Sequence, residues 1–219
     1  SVMETGCRIH SAREGTTVLT KLAREGNVRG AIELLHQMRS STVKIDEVNY
    51  RCVLFGTAWQ QDWHHAMNLM TSMHQNEITK NQGACNAAIS ACRGIWTLGI
   101  HLLYGMQGMQ LRAEVTSYSN AANAFLSSLE KWHMSLHIFQ ELQCLGLEVD
   151  GFCESIALST CRQKWQLVLQ QLNAFRVPNM VCLNAGISSF SEAKYWHRAL
   201  GLMDEAQGTG LQIDVVTIG

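Results

Sequence analysis

One pentapeptide recurs through the 219 residues of this chain, and its spacing limits the folds that the chain can adopt. Its first residue is usually Trp, its fourth is usually small and its fifth is aliphatic or Met. Copies begin at Trp63, Trp96, Trp132, Trp165 and Trp196, at intervals of 33, 36, 33 and 31 residues, and Val28 opens an earlier copy. A period of this length is typical of proteins built by stacking one small structural unit many times.

Each period predicts two helices. After the pentapeptide, apolar residues such as Ala66, Leu69, Met70 and Met73 follow at steps of three and four, which is typical of an amphipathic helix. A residue that can cap a helix or form a turn lies eighteen positions after the start of most pentapeptides, and a second apolar segment follows it. These capping residues are Asp46, Asn81, Glu114, Asp150 and Asp214. The chain has a single proline, which also favours helices. We therefore predict helix–turn–helix units of about 35 residues.

The composition narrows the class of protein. A net charge of −1 argues against a strongly basic, sequence-independent nucleic-acid binder. The eight cysteines form no C-x-x-C pair, and we predict that Cys85, Cys92, Cys153 and Cys161 are reduced thiols in the core. No apolar run is long enough for a transmembrane helix, and no signal peptide is recognisable.

These landmarks together resemble the pentatricopeptide repeat (PPR) family. The clearest copies are MVCLNAGIS at 180–188 with WHRALGLM at 196–203 and Asp214, and EVNYR at 47–51 with WHHAMNLM at 63–70 and Asn81. The resemblance implies an all-α, right-handed α–α superhelix (a solenoid) of about six stacked repeats. Their predicted boundaries are 12–46, 47–81, 82–114, 115–150, a short fifth repeat at 151–179, and 180–214. Residues 1–11 resemble the tail of a preceding repeat and 215–219 the start of a further one, so we expect a longer protein or disordered flanks.

The resemblance also implies RNA contacts, because PPR proteins mostly bind single-stranded RNA at one nucleotide per repeat. Carried over by position, the base-edge residues are Thr16, Asp46, Asn86, Ser119, Asp150, Ser155, Asn179, Asn184 and Asp214, and the base-stacking residues are Val48, Phe152 and Val181. Asn184 with Asp214 matches the family pattern for uracil, and Thr16 with Asp46 resembles a purine-reading pair. Arg51 with Asn81 departs from the pattern, as does Asn86 with Glu114, and Gly83 cannot stack on a base. The competing interpretation is that these polar residues only cap helices and form turns.

Basic residues stand just before most pentapeptides, near the end of each predicted first helix: Arg24, Arg93, Lys131, Arg162, Lys164 and Lys194. Only the second repeat has none there, with Gln60-Gln61-Asp62 instead. Because they recur at the same position of successive repeats, these residues would form a basic stripe along the solenoid, which suits the phosphate backbone of a nucleic acid. Alternatively, cations are favoured at helix C-termini by the helix dipole.

No motif predicts catalysis. His133 and His137 have metal-compatible i, i+4 spacing but no evident third ligand, and neither a deaminase pair of H-x-E and C-x-x-C nor a phosphate-binding glycine loop occurs. We expect no enzyme activity, metal, cofactor, small-molecule substrate or membrane insertion.

Two functions remain open. The first is a PPR-type protein of a plastid or mitochondrion that binds single-stranded RNA or rRNA in RNA processing, stabilisation or translation. The second is a structural scaffold subunit of a large organellar assembly, such as a ribosome or membrane complex, held mainly by protein contacts.

Overall fold

The computed structural model describes residues 12–41, 43, 45–126, 132–149, 151–161, 164–174 and 180–208. Over these ranges the chain forms helices and turns, with no strand. The helices are α1 (Ala12–Arg24), α2 (Val28–Ser40), α3 (Glu47–Gln60), α4 (Trp63–Gln75), α5 (Gln82–Ala91), α6 (Trp96–Gly108), α7 (Val115–Asn123), α8 (Trp132–Cys144), α9 (Gly151–Thr160), α10 (Trp165–Ala174), α11 (Met180–Glu192) and α12 (Trp196–Gly208). The predicted all-helical class is confirmed, while the number and boundaries of the repeats stay a prediction.

Every even-numbered helix begins at the first residue of one pentapeptide. A polar residue just before it caps two of these helices: the Asn27 side chain accepts a hydrogen bond from the Gly30 N–H, and the Asp62 side chain accepts one from the His65 N–H. The fourth residue of each copy is buried: Ala31, Ala66, Gly99, Ser135, Val168 and Ala199. The pentapeptide therefore marks a helix start and places one mostly small residue where a neighbouring helix packs.

The chain divides into two compact halves, residues 1–113 and 114–219. In the N-terminal half, α3 packs against both α1 and α5, and each of these three helices pairs with the helix that follows it. Helices α1 and α3 run in the same direction, since Asn49 bonds Thr16 near their starts and Gln60 bonds the carbonyl of Gly26 near their ends. Leu54, Met73, Ile89 and Met106 are fully buried in this half.

In the C-terminal half, α9 packs against both α7 and α11. One core cluster joins Leu158 of α9, Val168 and Leu172 of α10, and Cys182 of α11. A second cluster joins Phe190 of α11 to Ala199 of α12. Each half thus buries the apolar stripes of successive helices against one another, as a repeat architecture requires.

The five pentapeptide tryptophans are not fully buried. Trp63, Trp96, Trp132 and Trp165 are only partly buried, and Trp196 is 58% exposed. Each indole stands in the first turn of its helix, and none of the five is fully buried. The core of these helices is formed instead by the residue ten positions later, because Met38, Met73, Met106 and Leu142 are fully buried.

No disulfide joins the cysteines within the described ranges. Cys85, Cys92, Cys153 and Cys161 are buried, as predicted. Burial raises the pKa of the Cys85 thiol, and it raises the pKa values of Cys92 and Cys161 to about 11, so these groups are protonated at neutral pH.

The N-cap of α4 gives a stability prediction. Replacing Asp62 by alanine is expected to lower the free energy of unfolding by about 1 kcal/mol. The Asp62 carboxylate accepts one hydrogen bond from the His65 backbone N–H and a second from the His65 ring Nδ1, and alanine can accept neither. Burial by itself raises the pKa of Asp62. The hydrogen bonds from His65, together with the electrostatic effects of His65 and His64, lower the pKa by more, so it lies below the ordinary value of 3.8. The ionised cap therefore contributes in full above pH 3.8 and is lost as the pH falls through the lower folded-state value.

Urea unfolding at pH 7 and at a series of pH values below 4 measures both effects. Asp62→Asn is the control, because asparagine caps a helix as well but does not titrate. Equal stability of the alanine and aspartate forms at pH 7 would contradict the capping assignment.

None of the described helices combines the length and apolarity needed to cross a membrane.

Candidate nucleic-acid interface

The first predicted base-edge pair is joined by a residue that the sequence analysis did not single out. Asp46 Oδ1 accepts the Asn49 N–H at 3.1 Å, and Asn49 Oδ1 accepts the Asp46 N–H at 3.0 Å. Asn49 Nδ2 then donates to Thr16 Oγ1 at 2.9 Å. Asn49 is fully buried, whereas Asp46 is exposed and Thr16 is half-buried. One polar chain therefore positions Thr16 and Asp46, and its only sequence signal is the Asp-x-x-Asn capping box.

Capping is also visible at the starts of the next two first helices, α5 and α7. The Asn81 side chain accepts the Ala84 N–H at 2.8 Å, and the Glu114 N–H donates to Ser117 Oγ at 3.2 Å. The capping interpretation thus describes what these residues do within the chain. It leaves open a second role for Asp46, because only Oδ1 is used in the cap and the residue is exposed.

Helix α3 has one face that is open to solvent. On α3, Tyr50 points to α4, where its hydroxyl lies 2.9 Å from Ser72 Oγ. At 100° per residue, Val48, Phe55 and Trp59 lie on the opposite side of the helix from Tyr50. Phe55 is 48% exposed and Trp59 is 82% exposed. The predicted stacking residue Val48 is half-buried on this same face.

The predicted phosphate contacts within the described ranges are all solvent-exposed: Arg24, Arg93, Lys164 and Lys194. Arg24 borders a shallow depression on α1, together with Thr16, Thr20 and Lys21. Lys21 also makes an exposed ion pair with Glu25 at 3.9 Å. Lys131 and Arg162 lie outside the described residues. The N-terminal half therefore presents exposed cations near the ends of α1 and α5, and one of them, Arg24, borders the same depression as Thr16.

Comparison with known proteins identifies the fold. Residues 16–43, which span most of α1 and α2, match the family model of the PPR repeat. PPR10 from maize superposes with a TM-score of 0.74 over 92% of this chain at 20% identity, and PPR10 in complex with an 18-nt psaJ RNA element gives 0.68 over 97% at 21%. The chain has the pentatricopeptide-repeat fold.

Other PPR structures match less closely. The PPR domain of Arabidopsis thaliana protein-only RNase P 1, in complex with tRNA, superposes with a TM-score of 0.56 over 92% of this chain and 91% of that chain, at 11% identity. The present chain spans only 30% of the length of PPR10. No curated protein sequence matches it. The predicted resemblance to the PPR family is confirmed.

Two base-edge positions of the PPR frame are turned inward in the C-terminal half. Ser119 is buried; its hydroxyl donates to the Val115 carbonyl at 2.7 Å and lies 2.6 Å from Cys153 Sγ. Ser155 is buried too, and its hydroxyl donates to the Phe152 carbonyl at 2.7 Å. In this geometry neither hydroxyl is directed at solvent, so base reading there would need a rotamer change.

The remaining PPR positions are unevenly placed. Phe152 is 56% exposed on α9, and Asn86 and Asn184 are half-buried on α5 and α11. Asp150, Asn179 and Asp214 lie outside the described residues, as do 1–11, 215–219 and the Val181 side chain. The assignment of all these residues to RNA contacts stays a prediction.

Proposed function

We propose that this chain is a non-catalytic PPR-type module that binds single-stranded RNA or rRNA along the open face of its first helices. The observation that carries the proposal is that, in the N-terminal half, exposed Arg24 borders the same depression as Thr16, which belongs to the Thr16–Asn49–Asp46 chain; exposed Arg93 adds a second cation after α5. Guanidinium groups suit a phosphate backbone, while the carboxylate and hydroxyl suit the donor and acceptor edge of a base.

The relatives support the same class of ligand. PPR10 has been solved with an 18-nt psaJ RNA element, and the PPR domain of protein-only RNase P 1 with tRNA. In the proposed mode, phosphates lie on Arg24, Arg93, Lys131, Arg162, Lys164 and Lys194. Val48, Phe152 and Val181 contact base faces. We extend the proposal to RNA processing, stabilisation or translation in a plastid or mitochondrion, on the strength of the family resemblance.

The proposal gives this chain no catalytic step. Among the described residues no three His, Cys, Asp or Glu side chains gather as metal ligands would. Protein-only RNase P 1 shows that a PPR domain can belong to an enzyme.

A salt series on RNA binding tests the proposal. If the four described stripe cations each contact one phosphate, log K against log salt should fall with a slope of about −3. Replacing Arg24 and Arg93 together by glutamine should weaken binding and make the slope shallower by about 1.4, because two counterions are no longer released. The measurement is filter binding of a 12-nt single-stranded RNA at several salt concentrations.

Arg29 and Arg39 supply the matched control. Both are exposed, but both belong to α2, a second helix, so their joint replacement by glutamine should leave the slope unchanged. Equal effects of the two double variants would mean that binding follows net charge and not the proposed face.

The scaffold function is the second candidate, and the buried Ser119 and Ser155 favour it. With these two positions bonded internally and a net charge of −1, a protein-bound solenoid is a coherent alternative. It predicts negligible affinity for free oligonucleotides even at low salt.

A further inference from the structure

The face of α3 carries more exposed aromatic surface than its neighbours. Trp59 is 82% exposed and Phe55 is 48% exposed, whereas the residues 35 positions earlier on α1 are Arg24 and Thr20. Leaving a tryptophan in water forfeits the free energy that its burial would supply, so exposed aromatic groups that lie together commonly mark a binding surface.

Trp59 occupies the position that Arg24 holds on α1. The second repeat is the one whose stripe cation is missing, since Gln60, Gln61 and Asp62 follow Trp59 directly. Gln60 bonds the Gly26 carbonyl, which fixes the end of α3 beside the turn after Arg24. The aromatic position is therefore set into the basic stripe, with Arg24 on the α1 side and Arg93 on the α5 side.

Arg51 extends the same surface toward α5. A Cβ at position 83 would lie 3.1 Å from Cδ of Arg51 and 3.9 Å from its Nη1, so the arginine side chain lies over Gly83. Gly83 stands at the base-stacking position of the third repeat and offers no side chain of its own. The guanidinium of Arg51 thus covers the place where an apolar stacking residue is missing.

Arg51, Phe55 and Trp59 form a row of planar groups at four-residue steps along α3. Each step rises about 6 Å along the helix axis. We propose that this row, the α3 platform, holds RNA by stacking on base faces, without regard to base identity. The proposal rests on the RNA-binding function above and deepens it: the second repeat would anchor the strand where the Arg51–Asn81 pair departs from the base-reading pattern.

Charge favours RNA over a protein as the occupant. Cations border the platform on both sides, and Arg51 is part of it. Aromatic rings interleaved with arginines are the usual surface for single-stranded nucleic acid, since every base has a face and every nucleotide a phosphate.

Substitution of Trp59 tests the platform. Trp59→Ala should weaken binding of 12-nt U-run and A-run RNAs about ten-fold, within a range of roughly 5- to 150-fold for loss of one stacked base. The salt slope should not change, because no charge is removed. Trp59→Phe should retain most of the affinity, whereas Trp59→Leu should behave like Trp59→Ala, since leucine is apolar but has no π-face.

Trp196→Ala is the matched control, because Trp196 is 58% exposed but begins α12, a second helix. Circular dichroism and thermal unfolding should be unchanged in all Trp59 variants, as that side chain is mostly in solvent. RNA should also quench the indole emission that Trp59→Phe removes.

The outcomes separate the platform from the function on which it rests. Wild-type affinity in Trp59→Ala, with a steep salt slope retained, would overturn the platform and leave RNA binding standing. Leucine as good as phenylalanine at position 59 would also overturn it, since that pattern describes an apolar protein contact. Absence of RNA binding by the wild-type chain at low salt would remove the function and the platform together.

Discussion

Replacing Phe190 by alanine is expected to lower the free energy of unfolding by about 3–5 kcal/mol. Phe190 is completely buried, packs with Ile187 and Ala199 in one core cluster, and has its ring centroid 6.4 Å from that of Trp165. Its ring thus links α10, α11 and α12. Truncation removes the buried ring and leaves a cavity, and both effects destabilise. Urea unfolding followed by circular dichroism measures the loss.

Phe55→Ala provides the comparison, because it makes the same chemical change on the open face of α3. With the side chain 48% exposed, the expected loss is no more than about 1 kcal/mol. On the platform proposal this variant should instead weaken RNA binding, while Phe190→Ala should alter stability first. Similar losses of stability at positions 55 and 190 would contradict the assignment of core and open face.

Replacing Gly56 by leucine is expected to cost about 1–3 kcal/mol, through overpacking instead of a cavity. A Cβ at position 56 would lie 3.1 Å from the Ala23 Cβ, 3.2 Å from its Cα and 3.5 Å from Val28 Cγ2. Because one of these neighbours is backbone, a longer side chain can be accommodated only if α1 and α3 move apart. Urea unfolding detects the loss.

Gly105 is the matched control, since it also lies inside a helix but a Cβ there would meet nothing within 4 Å. Gly105→Leu should stabilise the protein by about 0.5–1 kcal/mol, because leucine favours the helix over glycine. The two substitutions should therefore act in opposite directions. A gain of stability at position 56 as well would show that α1 and α3 are not in the close contact described.

The first helices show how far sequence reasoning could reach toward the site. The resemblance to the PPR family implies that Thr16 and Asp46 are partners, and the structure joins them through Asn49. The residues that build the α3 platform were not assigned a role together. Arg51 was noted only as a departure from the family pattern, and Phe55 and Trp59 were not noted at all. The sequence does contain a signal for Trp59, because this tryptophan lies 35 residues after Arg24, at a repeat position where a cation is otherwise expected.

Burial is where the sequence expectations fell short. Ser119 and Ser155 share the helix position of Thr16, yet their hydroxyls bond within their own half of the chain. The pentapeptide tryptophans carry the strongest periodic signal, yet Trp196 is 58% exposed while Met73, ten residues after Trp63, is fully buried.

The repeat pattern is sufficient to predict that this chain is helical, where each second helix begins, and which repeat family the chain resembles. Those properties follow from apolar residues spaced three and four positions apart and from one repeated pentapeptide, so they can be predicted from the sequence. The exposure of each side chain, in contrast, depends on how the helices pack, because the atoms that cover a residue come from a helix about 33 residues away in the sequence. Packing between helices this far apart in the sequence determines three features of the site. They are the Asn49–Thr16 hydrogen bond, the position of the Arg51 side chain over Gly83, and the exposure of Trp59.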